Sequence, residues 1–259
     1  MTLGKSLLVV GGIGGLLAAS PARGGTPGGG TSLIGFNDLQ PGTVVNSQYS
    51  SAGGVVISVQ RTSSGPAVAT LYNTGRTGEP DPDLQTPFAM GNLGTAGPGG
   101  NVLIIPENNT DRNGDGLIDS PNDEGTRPAG QFTFDFLAPV QSFGFDLIDV
   151  EGPAEFNSNA GYFASFYLDG ELEARVGFGS FVDPLSPFYD PTVRYGDNSA
   201  NRIRPITARQ VGMPQFDRVV LNFGGSGGTD NLLFTFVPEP SALALGVIPA
   251  LSLLKRRRR

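Results

Sequence analysis

Residues 131–136 (QFTFDF) alternate strictly, with Phe132, Phe134 and Phe136 on one face and Gln131, Thr133 and Asp135 on the other. Residues 142–150 repeat the pattern through Phe143, Phe145 and Leu147. A period of two is that of a strand with one buried face. Shorter β-branched runs at 55–60 (VVISVQ), 67–72 (AVATLY) and 101–105 (NVLII) predict three more strands. Residues 162–168 and 171–176 predict a hairpin, because Asp169-Gly170 between them suits a two-residue type I′ turn. Residues 216–223 and 232–236 add two late strands, about nine in all. Helical periodicity is faint and confined to 206–212.

Many short strands separated by Gly, Pro, Asn and Asp predict an all-β fold: a two-sheet antiparallel sandwich, jelly-roll-like, with long Gly/Pro-rich loops. Phe132, Phe134, Phe136, Phe143, Phe145, Val220 and Phe234 are the expected inward positions. Glycine concentrates at 24–30, 91–100 and 224–228. Residues 73–100 carry almost no strand signal and read as an exposed, mobile loop.

The two ends have another character. Lys5 precedes an apolar stretch at 6–19 (SLLVVGGIGGLLAA), and Ser20-Pro21-Ala22 supplies small residues before a cleavage point. That is the layout of an export signal over 1–22. Glycines 11, 12, 14 and 15 disfavour a buried helix there. At the far end, Val237-Pro238-Glu239-Pro240 leads into an apolar run at 241–254 and then Lys255-Arg256-Arg257-Arg258-Arg259. Fourteen residues make a helix of roughly 21 Å, short of a hydrocarbon core of about 30 Å. Pro249 weakens it further. Such a segment is a transient stop rather than an anchor, with its basic end held on the cytoplasmic side.

This order of Pro-Glu-Pro box, apolar segment and basic cluster resembles the PEP-CTERM sorting signal of Gram-negative bacteria. The resemblance implies recognition of Pro238, Glu239, Pro240 and Arg256, Arg257, Arg258, Arg259 by an exosortase, which removes the tail. It implies export to the cell surface or extracellular matrix, with transient inner-membrane anchoring. Phe36-Asn37-Asp38-Leu39, Pro41-Gly42-Thr43-Val44-Val45 and Gln48-Tyr49 resemble the opening of passenger domains of that family. Thr229-Asp230-Asn231-Leu232 resembles their closing segment, and Phe143-Gly144-Phe145-Asp146-Leu147 fits as well. The expected division is a signal peptide at 1–22, a Gly-rich linker at 23–32, a β-sandwich domain at 33–237 and a sorting tail at 238–259.

Removing both ends changes the charge. Residues 23–237 keep eleven arginines, no lysine and 23 carboxylates, a net charge of −12. That surface repels phosphate backbones, which argues against nucleic acid, and attracts divalent cations. The chain has no cysteine, so the exported domain holds itself together by its core or by metal. It has no histidine either, so Ser-His-Asp and Cys-His machinery cannot assemble within it. GGSGG at 224–228 lacks the lysine of a phosphate loop. A carboxylate pair, as in glycosidases, is the catalytic option left, and the sequence singles out no pair.

One motif carries chemistry. Asp111, Asn113, Asp115 and Asp119 place side-chain oxygens at positions 1, 3, 5 and 9 of a loop, with Gly116 at position 6. Leu117 at position 7 can offer its carbonyl, and Asn122 stands at position 12, followed by Asp123 and Glu124. Ca²⁺ takes about six to eight oxygens. Position 12 is not the glutamate of an EF-hand and no helix flanks the loop, so the spacing more closely resembles a thrombospondin type 3 repeat. Asp111, Asn113, Asp115, Leu117, Asp119, Asn122 and Asp123 are therefore candidate Ca²⁺ ligands. Asp38 and Asp230, at the starts of the first and last strands, form a second calcium candidate. Tyr189 and Tyr195, in a Pro-rich stretch, can stack on sugar rings. The expected function is an exported, calcium-stabilised β-sandwich that binds or builds matrix, associated with exopolysaccharide, biofilm or the cell envelope, and not an enzyme. The alternative is a polysaccharide-active hydrolase or lyase on the same scaffold.

Overall fold

The alternating phenylalanines build the longest element. In the computed structural model, which describes residues 30–52, 54–75, 81–151 and 161–238, the two runs around 131–150 join into one strand. The leader, most of the linker and the sorting tail from Glu239 onward lie outside the described residues. Eleven strands form among the described residues: β1 (Thr31–Ile34), β2 (Val44–Val45), β3 (Val55–Arg61), β4 (Ala69–Asn73), β5 (Asn101–Ile104), β6 (Gly130–Ile148), β7 (Phe163–Leu168), β8 (Glu171–Gly177), β9 (Ala200–Thr207), β10 (Phe216–Phe223) and β11 (Gly228–Phe236). Among these residues no helix is long and apolar enough to cross a membrane.

The protein is an all-β antiparallel sandwich, and β6 belongs to both of its layers. The first half of β6 lies between β3 and β10, and β7 and β8 extend that layer. Its second half lies between β9 and β11. Beyond β11 come β1 at one end and β5, β4 and β2 at the other. The halves meet around Pro139, a residue without an N–H for a central ladder. The chain folds over there, so the inward phenylalanines of the two halves face each other. Phe134 packs on Phe143 with ring centroids 5.5 Å apart, and Phe136 on Phe234 at 4.9 Å. Edge-to-face pairs such as Phe132–Phe223 at 5.3 Å suit the quadrupoles of the rings.

Register corrects one expected core position. Val219 and Leu221 stand opposite Phe134 and Phe132 and share their inward face, so Val220, opposite Thr133, lies on the outer face. It is covered there but takes no part in the main core. The hairpin turn is as expected, with Asp169 at φ 52° and Gly170 at φ 87°. The faint helical signal becomes a single 3-10 turn, Ala208–Val211, capped by Thr207 and Gln210. β1 begins at Thr31, inside the expected linker.

The larger correction concerns the stretch 73–100. Leu84 and Phe88 are fully buried against Tyr72, Val102, Ile104, Ile148 and Ala200, with Leu93 beside them. Residues 81–100 are thus a cap with its own apolar cluster on the outer face of the second layer. Asn198 fastens it: its side-chain amide donates to the carbonyls of Asp83 at 2.8 Å and Gln85 at 2.9 Å, and its own carbonyl accepts from Ala89 N–H at 2.9 Å.

Candidate functional site

The loop 111–119 is a ladder of side-chain oxygens braced by backbone N–H groups. Asp111 accepts from Gly114 N at 2.7 Å and Gly116 N at 2.9 Å, one on each carboxylate oxygen. Asn113 accepts from Asp115 N at 2.9 Å, and Asp115 from Leu117 N at 2.9 Å. Asp119 accepts from Arg112 N at 2.8 Å, and Asn113 donates to Asp115 at 2.9 Å. The tight path needs glycine at two steps, Gly114 (φ 75°) and Gly116 (φ 85°). Ile118 is buried and its N–H donates to the Gly42 carbonyl at 2.8 Å, so the loop is pinned to the start of β2. That apolar anchor was not expected.

The residues that follow divide. Asn122 has a buried side-chain oxygen with no hydrogen-bond partner, while its backbone carbonyl accepts from Glu107 N at 2.8 Å. Asp123 leaves the loop: its buried carboxylate accepts from Gly227 N–H and stands against Asp81. Glu124 is committed to Arg61 and to the Ser63 hydroxyl at 2.7 Å. Burial raises the Asp123 pKa well above the usual range, and the charge of Asp81 adds to it. No three acidic side chains among the described residues stand close enough to form a metal cluster by themselves.

Asp38 and Asp230 are brought to one neighbourhood by Tyr49. The Tyr49 hydroxyl donates to Asp38 at 2.5 Å. Its pKa is raised first by burial, then by Asp38, then by the charge of Asp230. Asp38 is exposed, whereas Asp230 is 1 % exposed and one of its carboxylate oxygens has no partner. Asp230 also stands directly across from Asp146 in the β11–β6 ladder. Two carboxylates opposite each other repel, and Arg202 makes its hydrogen bonds to Asp146, through Nε and Nη2 at 2.8 Å each. Asn231, at φ 46° beside a register shift, donates to Asp146 at 2.8 Å and to Asp230 at 3.1 Å. Burial and then the charge of Asp146 push the Asp230 pKa up to about 8, against partial relief from Asn231 and Arg202. The Asp146–Arg202 pair carried no signal in the sequence.

A second acidic group lies under the cap. Asp149 is 2 % exposed and accepts from Asn198 N at 2.8 Å. Burial raises its pKa to about 7, with Asp81, Asp83 and Glu151 adding to the rise.

Of the two tyrosines that could stack on sugar rings or simply pack in their loop, Tyr189 faces a cleft. It is 40 % exposed and lines a hollow of about 130 Å³ with Phe188, Asp190, Arg204 and Gln210. Tyr195 packs against the core and donates to the Phe178 carbonyl at 3.2 Å. A neighbouring hollow of about 160 Å³ is lined by Leu33, Asp146, Arg202, Asn231 and Leu233. Of the sorting-signal residues only Pro238 is described. A scan against protein-family models finds no match for this chain, and a search of curated proteins finds none.

Proposed function

We propose that this chain is an exported cell-surface or matrix protein whose β-sandwich is a calcium-stabilised binding module associated with exopolysaccharide. The observation that carries the calcium part is the ladder at 111–119 together with the orphaned oxygen of Asn122. Asp111, Asn113, Asp115, the Leu117 carbonyl and Asp119 would hold the ion, with Asn122 as a sixth oxygen, within the range of about six to eight that Ca²⁺ takes. Each braced oxygen keeps a second lone pair for a cation. The ion's role would be to fix an exposed loop that Ile118 alone anchors. The PEP-CTERM-like tail and the leader support export, and exosortase would process the tail.

A hydrolase needs a proton-donating carboxyl and a second carboxylate facing one groove. The carboxyls here whose pKa rises most, Asp123, Asp149 and Asp230, are all buried. Those three therefore do not supply a groove-facing acid. Calorimetric titration of the full chain with CaCl₂ tests the calcium part. Heat of binding in the native chain, and none in Asp115→Ala, is expected. Equal melting temperatures with EDTA and with millimolar calcium, and no heat, would overturn it.

A further inference from the structure

Four of the eleven arginines of this acidic body fall in one stretch of the chain. Residues 191–216 hold Arg194, Arg202, Arg204 and Arg209 against a single carboxylate, Asp197, within a body of net charge −12. All four arginines are exposed. Arg202 and Arg204 leave β9 at alternate positions with buried Ile203 between them, about 7 Å apart along the strand. Each is steadied by a buried aspartate. Arg202 is gripped by Asp146 at 2.8 Å through two nitrogens, and Arg204 Nε by Asp190 at 3.0 Å. The aspartate side chains are 0 % and 9 % exposed, the arginines 54 % and 77 %. A guanidinium has five N–H donors, so both keep donors for something outside the chain.

Each arginine also stands at a hollow. Arg204 belongs to the hollow of about 130 Å³ that Tyr189 flanks, and Arg202 to the one of about 160 Å³ beside Leu33 and Leu233. Ile203 and Pro205 line both, so the two hollows abut. Gly144 lets Pro205 lie close, since a Cβ there would be 3.0 Å from Pro205 N. Each hollow is below the size of a drug-like pocket, roughly 300–1,000 Å³, and on the scale of one ring of a linear polymer. In the Arg204 hollow, Gln210 turns its amide oxygen to Thr207 N and Oγ1 at 2.8 Å each, which leaves its NH₂ as a donor.

We propose that these two hollows are adjacent subsites for an acidic polysaccharide, each taking one sugar ring and presenting one arginine to a ring carboxylate. The proposal rests on the polysaccharide-binding reading and adds the ligand's charge and place. Tyr189 and Pro205 offer apolar faces to the C–H side of a ring, and the planar guanidinium matches a carboxylate in two-point geometry. The surrounding body, net charge −12, repels any polyanion, so a uronate polymer would be held locally, one ring carboxylate to one arginine, with its C–H faces on Tyr189 and Pro205.

The test is calorimetric titration of the full chain, in calcium-free buffer, with short oligogalacturonates and oligomannuronates and with their carboxyl-reduced, neutral counterparts. The acidic series should bind, with affinity falling as salt rises. Carboxyl reduction, and the Arg204→Ala variant, should each weaken binding by roughly tenfold or more, the worth of one charge-assisted hydrogen bond. Without Arg204, Asp190 still accepts from Thr192 N at 2.9 Å and Thr192 Oγ1 at 2.5 Å, so the Arg204→Ala variant should keep close to the native melting temperature. Arg202→Ala would strand buried Asp146, so Arg202→Lys is the second variant, expected to keep the charge, lose the fork and weaken binding. Equal binding of acidic and reduced oligomers would overturn the acidic assignment and leave the polysaccharide reading standing. No binding of either series would overturn both. Tighter binding of polyphosphate or single-stranded DNA than of any uronate would assign the arginines to a different class of ligand and overturn the proposal.

Discussion

Asp149 gives the sharpest handle on the buried charge of this protein. It is 2 % exposed, it faces Asp81, Asp83 and Glu151, and its pKa rises from 3.8 to about 7, mainly through burial. A carboxyl raised in the folded state keeps its proton there to higher pH than in the unfolded chain. The folded state is therefore favoured below the unfolded pKa, and that advantage is lost as pH climbs from about 4 to about 7. At about 1.4 kcal/mol per pH unit over roughly three units, the loss attributable to Asp149 is about 4 kcal/mol. Asp149→Asn removes the charge while keeping the geometry. The residue sits at φ 56°, a conformation asparagine tolerates, and the amide oxygen can still accept from Asn198 N, now 2.8 Å away. Urea unfolding of the native chain and the variant at about pH 4 and about pH 8 should show near-equal stability at the acid end and a variant more stable by about 4 kcal/mol at the alkaline end. Stability–pH curves that run parallel would refute the reasoning, because they would mean that Asp149 ionises in the fold as freely as in the unfolded chain.

Three further outcomes are expected. Phe134→Ala should cost about 3–5 kcal/mol in chemical denaturation, since Phe134 is fully buried and stacks between Phe132 and Phe143; a change within about 0.5 kcal/mol would place the ring at the surface. A hundredfold excess of calcium over its dissociation constant should stabilise the native chain by about 2.7 kcal/mol and leave Asp115→Ala unmoved, and hydrogen exchange should show chelation loosening 107–125 first. Intact mass measured on protein from the native host should show neither the leader nor Arg256–Arg259; a mature species that keeps the basic cluster contradicts processing of the tail.

The legible parts of this chain are those where neighbours in sequence are neighbours in function. A period of two marks residues 131–136 as a strand whatever it pairs with, and Asp169-Gly170 dictates its own turn. The oxygen ladder at 111–119 is equally local, because its hydrogen bonds run only a few residues along the chain. What was illegible depends on register or on distant partners. Val219, Val220 and Leu221 are consecutive apolar residues, so their run alone does not say which of them faces inward; that is decided by Phe134, Thr133 and Phe132 across the ladder. β9 was hidden by two arginines and by Pro205, which a strand tolerates at an edge or bulge; here the register against β6 shifts between Phe143 and Phe145. The cap went unseen because Leu84, Phe88 and Leu93 are isolated apolar residues in a Gly/Pro-rich stretch. They find a surface only once β4, β5, β6 and β9 have assembled. The position of Asp123 had the same cause: spacing placed it after the calcium loop, whereas its carboxylate is taken by Gly227.

The two layers of the sandwich divide the work. The layer of β3, β10, β7 and β8 carries Arg218 on Asp135 at 2.5 Å and Arg175 over the Phe163 ring at 4.1 Å, beside a hollow lined by Asp135, Asp169 and Asp217. The other layer bears nearly everything else. The candidate calcium loop is tied to Gly42 beside β2, the cap covers β4 and β5, the arginine hollows open at β9, and Asp230 lies in β11. All of these attach to strands arranged around the second half of β6. A strand shared by both layers makes that arrangement rigid, because bending the functional layer would drag Phe143 and Phe145 through the aromatic core that Phe132, Phe134 and Phe136 fill. Loops hung on such a layer are free to vary in charge without unsettling the core. If the proposed binding reading holds, substitutions that alter binding should map to the layer of β9, β11, β5 and β4; binding lost instead by changes at Asp169 or Asp217, beside the hollow of about 260 Å³ on the opposite layer, would contradict that division.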